Sequence, residues 1–158
     1  RPVVRNNTII GNNIGFFFCW GVKHGLVEGN VIEDSETAGI SIGHRDTDNV
    51  VRNNQVRRSG EHGILFREHP AARRDPHRNV FEGNLIEDSG KKDDCVAIEM
   101  LGTAKGVVLR DNRIVDTRRR SKRRKRIGLR IGEKVKALKL SGNEFTGLDE
   151  DIVDLRKR

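Results

Sequence analysis

Six asparagines punctuate the chain, and the apolar positions keep a constant phase to them. Asn7, Asn30, Asn54, Asn84, Asn112 and Asn143 are each followed two residues later by an apolar residue: Ile9, Ile32, Val56, Ile86, Ile114 and Phe145. Three positions before each stands Val4, Val27, Val51, Phe81, Leu109 or Leu140, and the asparagines are 23, 24, 30, 28 and 31 residues apart. The residue just before each is Asn6, Gly29, Asn53, Gly83, Asp111 or Gly142, all types that accept a tight or left-handed backbone, so a bend recurs once per repeat. Further strands with a period of two follow as Gly39-Ile40-Ser41-Ile42, Gly63-Ile64-Leu65-Phe66, Val96-Ala97-Ile98 and Leu129-Arg130-Ile131. Short strands, bends and loops without a helical period predict a sheet wound into a solenoid.

A leucine-rich repeat has a similar period, but it needs apolar residues nine and six positions before the asparagine. Those places hold Gly21 and His24, Arg45 and Asp48, Asp75 and Arg78, which excludes it. Stacked parallel coils also require outward charges to alternate, because like charges about 4.8 Å apart repel. The column Arg5, Glu28, Arg52, Glu82, Arg110, Ser141 alternates, and so do the pairs Glu33-Asp34, Arg57-Arg58 and Glu87-Asp88. Most of the charge is therefore expected to be structural, and the asparagines to form an inward ladder.

These residues resemble the pectin-lyase-like superfamily, in particular the right-handed parallel β-helix repeat proteins with one Asn-x-Ile and one Gly-Ile element per coil. The resemblance spans residues 3 to about 147 and implies an all-β, single-stranded right-handed parallel β-helix of about six coils. It implies no single activity, since the superfamily holds pectate and alginate lyases, polygalacturonases, uronan epimerases and non-catalytic modules. Uronan epimerases of this fold use a Tyr with Asp-Pro-His, and this chain has no Tyr. Polygalacturonase motifs are echoed only in fragments and in the wrong order, by Gly43-His44, Asp93-Asp94 and Arg130-Ile131. The calcium-binding Asp cluster and Arg motif of pectate lyases are not recognisable, so no catalytic residue carries over.

Residues 1–158 are read as one β-helix domain, a module of a larger and exported protein. The net charge of +8 is confined to one segment: residues 118–126 hold eight Lys or Arg, and the remaining 23 basic residues match the 23 acidic ones. Such a body is not a general nucleic-acid coat, and the basic run lacks the interleaved aromatics of a base-stacking surface. No apolar run is long enough to span a membrane. Cys19 and Cys95 are too few for a disulfide framework or a structural zinc site.

Chemistry is expected where the loops vary, after the Gly-Ile strands. Counting from Phe18, Ile42 and Phe66 aligns Trp20, His44 and Glu68 on one edge, with His24, His69 and His77 expected nearby. An aromatic face with cations suits a sugar ring bearing acidic groups, which makes Trp20, Lys23, His24, Arg45, Asp46 and Glu99 the candidate substrate-binding residues. If the chain is an enzyme, it is a polysaccharide lyase or glycoside hydrolase. His44, Arg67, Glu68 and His69 are the catalytic candidates, with Asp46–Glu68 or Glu68–Glu99 as a carboxylate pair for hydrolysis. No tight ligand motif is present, so no metal or other cofactor is expected, a divalent cation being left open. The expected function is recognition or processing of an acidic polysaccharide. The alternative is a non-catalytic structural or assembly solenoid, with end-to-end contact to another chain or domain.

Overall fold

The computed structural model describes residues 1–71, 74–91, 94–119 and 124–157. Each repeat bends twice and yields three strands. The first coil has β1 (Val3–Arg5), β2 (Thr8–Ile10) and β3 (Ile14–Phe17), and the second has β4 (Leu26–Glu28), β5 (Val31–Glu33) and β6 (Ala38–Ile42). β7 (Val50–Arg52), β8 (Gln55–Arg57) and β9 (His62–Phe66) follow, then β10 (Val80–Glu82), β11 (Leu85–Glu87) and β12 (Asp94–Met100). The last two coils carry β13 (Val108–Arg110), β14 (Arg113–Val115), β15 (Lys125–Ile131), β16 (Lys139–Ser141), β17 (Glu144–Thr146) and β18 (Glu150–Asp154). Every third strand pairs in parallel, giving three six-stranded sheets, A (β1 to β16), B (β2 to β17) and C (β3 to β18). The sequence pattern had missed β3 and β18.

The register follows the asparagine columns. Val4, Val27, Val51, Phe81, Leu109 and Leu140 lie opposite one another in sheet A, and Ile9 to Phe145 do so in sheet B. Between the two sheets the backbone turns through a left-handed residue, from Asn6 (φ 56°) to Gly142 (φ 62°), so the residue types before each asparagine are explained. Each asparagine amide donates to the Oδ1 of the asparagine one coil on, through the whole set from Asn7 to Asn143. The interior between the sheets is apolar, with Ile32, Ile40, Val51, Val56, Ile64, Phe66, Phe81 and Ile86 wholly inaccessible.

Charge alternation outside the core becomes ion pairing across rungs: Arg52 with Glu28 at 2.7 Å, Arg110 with Glu82 at 2.6 Å, and Arg58 with Asp34 at 2.8 Å. Arg57 reaches both Glu33 and Glu87, at 3.3 and 3.7 Å. The two ends differ. The first coil is apolar and opens on a cavity of about 90 Å³ lined by Pro2, Val4, Phe16, Phe18, Val22 and Leu26. In the last coil Lys139 pairs opposite Val108, and Asp154 opposite Ile131, so charge stands where other coils have apolar side chains.

Candidate functional site

Sheet C and sheet A are joined by the turn in which the loops vary. Trp20 and His44 both enter it with left-handed backbone (φ 62° and 46°), a conformation uncommon for large side chains. It turns their rings outward and onto each other. The Trp20 indole stacks on the His44 imidazole with centroids 4.8 Å apart and planes 17° from parallel. His44 in turn meets the His69 ring edge-on, again at 4.8 Å. One ring per coil thus repeats at the spacing of the rungs, and the outermost, Trp20, is 61% exposed. The register differs by one residue from the count made on sequence: the third ring is His69, and Glu68 pairs with Lys134 at 3.5 Å.

Behind the stack lies Arg67. Its Nη1 donates to Ser41 Oγ (2.7 Å), its Nη2 to the Phe18 carbonyl (2.9 Å), and its guanidinium carbon sits 4.2 Å from the centre of the Phe17 ring. Room for this comes from Gly43, where a Cβ would lie 3.0 Å from Arg67 Cβ and Nε. Arg67 is therefore a brace over the outer face of sheet C, and not the free substrate-facing cation expected. Burial pushes its guanidinium below the ordinary arginine range, with Asp46 opposing. Arg67 Nη2 also approaches His44 Nδ1 at 3.4 Å. With Nδ1 accepting, the neutral His44 ring carries its proton on Nε2. Burial, then the charges of Arg67 and His69, hold His44 below the usual histidine value, so the ring is neutral at pH 7.

Two of the carboxylates proposed for substrate are closed to it. Asp46 is inaccessible: Oδ1 accepts from the backbone N–H of Gly21 (2.9 Å) and Val22 (2.8 Å), and Oδ2 from that of Gly43 (3.0 Å). It was expected outside because it lies in a loop, but unpaired turn N–H groups draw a carboxylate inward. Glu99 is 2% exposed and held by Arg130, one coil on, with Nε to Oε2 at 2.9 Å and Nη2 to Oε2 at 2.6 Å. Neither Asp46–Glu68 nor Glu68–Glu99 is thus a solvent-facing pair. His69 is anchored too, its N–H donating to Asp75 (2.9 Å) and its Nδ1 accepting from the Ala71 N–H (3.0 Å).

Lys23, His24 and His77 fall on the far side of this turn, away from the ring stack. Lys23, Thr47, His77, Lys105 and Lys136 pair one above another as single parallel bridges. His24 follows Lys23 and borders a shallow groove with Arg1, Val3, Asp48, Val50 and Arg52. Arg45 stays exposed beside the stack, its N–H donating to the Arg74 carbonyl. Sequence reading missed Asp75, which is 1% exposed and accepts from His69 and Thr103. A signal was present, because Asp75-Pro76-His77 spells the triplet noted for uronan epimerases although the chain has no Tyr. It also missed a second, shorter amide ladder in which Asn49 donates to Asn79 Oδ1 at 3.0 Å.

The basic run is less free than its composition suggests, although residues 120–123 lie outside those described, as do Lys92 and Asp93. Arg118 donates to Ser89 O (2.9 Å), to Gly90 O and to Asp116, and the 5% exposed Arg126 donates to Arg118 O (2.7 Å). Both arginines brace the base of the loop. Among the described residues no three His, Cys, Asp or Glu are grouped to hold a metal ion, and no helix is long and apolar enough to cross a membrane.

The crystal structure of the periplasmic alginate epimerase AlgG has a similar fold, with a TM-score of 0.63 over 90% of this chain at 13% identity. The chain spans 39% of that protein's length. No curated protein matches it in sequence. Residues 1–114 match the family described as right handed beta helix region, and with the three parallel sheets and the buried asparagine ladder in view, the chain belongs to that family.

Proposed function

We propose that this β-helix is a carbohydrate-recognition module that takes an acidic polysaccharide along the turn edge of sheet C. The observation that carries the proposal is the exposed Trp20, held in place by stacking on His44 with His69 behind it, because the outer face of the indole offers a sugar ring a flat apolar contact. Arg45, exposed beside the row, supplies a cation for acidic substituents. The likeness to a periplasmic alginate epimerase supports a carbohydrate role and an exported location for the parent protein. Of the groups considered for catalysis, His44 and His69 remain in the ring stack and Glu68 is paired with Lys134, whereas Arg67, Asp46 and Glu99 are engaged by the scaffold. Recognition is accordingly the reading favoured over hydrolysis.

The test is a panel of acidic and neutral polysaccharides, with binding measured calorimetrically and products sought by chromatography. Trp20→Ala should weaken acidic-glycan binding about three- to tenfold with unchanged melting temperature. A second reading, a purely structural solenoid, is favoured by the engagement of those three charged residues in packing. It takes over if no glycan in the panel binds.

A further inference from the structure

Sheet A carries on its outer face a stripe that sheet B lacks. The inward column runs from Val4 to Leu140, so by alternation the residues before it point out: Val3, Leu26, Val50, Val80 and Val108 lie opposite one another on five successive coils. The corresponding outward column of sheet B is Thr8, Val31, Gln55, Leu85, Arg113 and Glu144, which mixes polar and apolar types. Strand propensity acts on both sheets alike and does not account for the difference. Val3 is 55% exposed, the other four are half-buried, and a shallow groove stands open over Val3, Leu26 and Val50. The stripe is walled on one side by the ladder Arg5, Glu28, Arg52, Glu82, Arg110, and on the other by Asp48 and Arg78. Each ion-paired side chain in these walls keeps part of itself in solvent, from 26% at Glu28 to 60% at Arg78.

An apolar stripe between charged walls has the layout of an interface core and its rim. The order of the charges names the occupant. Signs alternate from coil to coil, so the wall reversed end for end about the step between β7 and β10 presents its own complement. We infer that a second copy of this chain docks on the outer face of sheet A, face to face, with the solenoid axes antiparallel and a two-fold axis passing between β7 and β10. In that arrangement Arg52 faces Glu82 of the other copy, Glu28 faces Arg110, and Asp48 faces Arg78, each pair occurring twice by symmetry. Val50 then lies on Val80 and Leu26 on Val108, closing the stripe against itself. An unrelated partner would need the inverse alternation at the same interval of about 4.8 Å. Six strands at that interval make a contact about 24 Å long and, with its walls, about 20 Å wide, which is roughly 500 Å² on each copy. Twice that just reaches the area at which specific association begins, so the dimer is a weak one, with a dissociation constant on the order of 10 to 100 µM.

Sedimentation velocity of the chain over about 1 µM to 1 mM tests this, with circular dichroism and melting of each variant to show that the monomer folds. The parent should pass from monomer to dimer across that range and stop there. V50K/V80K sets lysines on both sides of the two-fold axis at outward positions, and should remain monomeric with the parent's far-ultraviolet spectrum. R52E should dimerise about tenfold more weakly, and R52E/E82R should recover to within about threefold of the parent. Both exchanges break the Arg52–Glu28 pair within a copy, so recovery reports the contact between copies and not the stability of the fold. Should V50K/V80K not fold, the charge exchange alone decides. A parent that stays monomeric overturns the proposal. So does a dimer indifferent to V50K/V80K, or one weakened by R52E that R52E/E82R does not restore, since with parallel axes the double exchange opposes like charges. Species that keep growing with concentration point to stacking through the solenoid ends, and overturn it as well.

Discussion

Asn54 donates to Asn84 Oδ1 twice, from its side-chain Nδ2 and from its own backbone N–H, each at 3.0 Å. The same asparagine accepts from the Nδ2 and backbone N–H of Asn30 at 2.9 Å, and gives a further bond to the Val27 carbonyl at 3.0 Å. One buried amide therefore closes hydrogen bonds on three coils. Asn54→Leu adds apolar surface yet leaves the Asn30 donors and the Val27 carbonyl without this partner and Asn84 Oδ1 with the backbone N–H alone, and should destabilise the fold by about 2 to 4 kcal/mol. Urea unfolding measures it, and an unchanged midpoint would contradict the ladder.

Arg67→Ala should act on stability before it acts on any ligand. Removing the guanidinium uncovers the Phe17 ring and takes partners from Ser41 Oγ and the Phe18 carbonyl, at an expected cost of about 2 kcal/mol. Arg67→Lys should recover less than half of that, because a single ammonium cannot hold two acceptors and lie flat over a ring. Thermal melts of the two variants decide the point.

The reason Arg67 was read as a ligand-facing cation marks the limit of what sequence discloses here. Columns that repeat in every coil, such as Val4 to Leu140 or Asn7 to Asn143, report their environment six times, and the register followed from them. Arg67 occurs in one coil, and its burial depends on Gly43 a coil earlier leaving space, a relation with no periodic trace. Asp46 likewise turns inward only because three unpaired N–H groups meet there. The ring stack was half legible. Trp20 and His44 were placed by counting from Phe18 and Ile42, but the longer loop after Phe66 exchanged Glu68 for His69.

Acid should loosen this protein in the histidine range. His44 and His77 are both held below 6.5, foremost by burial, so between 6.5 and their lower folded-state values the unfolded chain binds protons that the folded one does not. Their contribution is complete above 6.5 and is lost as pH falls through the folded values. A second loss begins below 3.8, where Asp34 and Asp48, lowered by Arg58 and Arg78, become protonated. Ring-proton NMR titration checks the first claim, and a His44 midpoint at or above 6.5 would refute it.

The two thiols should react at very different rates. Cys19 is exposed, whereas Cys95 is 3% exposed with its Sγ 3.3 Å from the Gly90 carbonyl. They lie three coils apart, roughly 14 Å at about 4.8 Å per rung, too far for a disulfide. A maleimide should label one site in the native protein and two after unfolding, by mass spectrometry. Two sites labelled rapidly without denaturant would mean that sheet C is not packed as described.

The asparagine ladder also has a direction. Every amide in it presents oxygen to the preceding coil and N–H to the following one, so the side-chain dipoles add along the axis instead of cancelling. The negative pole lies at Asn7 and the positive pole at Asn143. At the first pole the formal charges match, since Arg1 and Arg5 flank it with no acid before Glu28, whereas the six acids of residues 132–158 are balanced by six bases. The solenoid is in effect a small electret, its frozen polarisation met at the first end by side chains of opposite sign, much as a helix macrodipole is by its terminal charges.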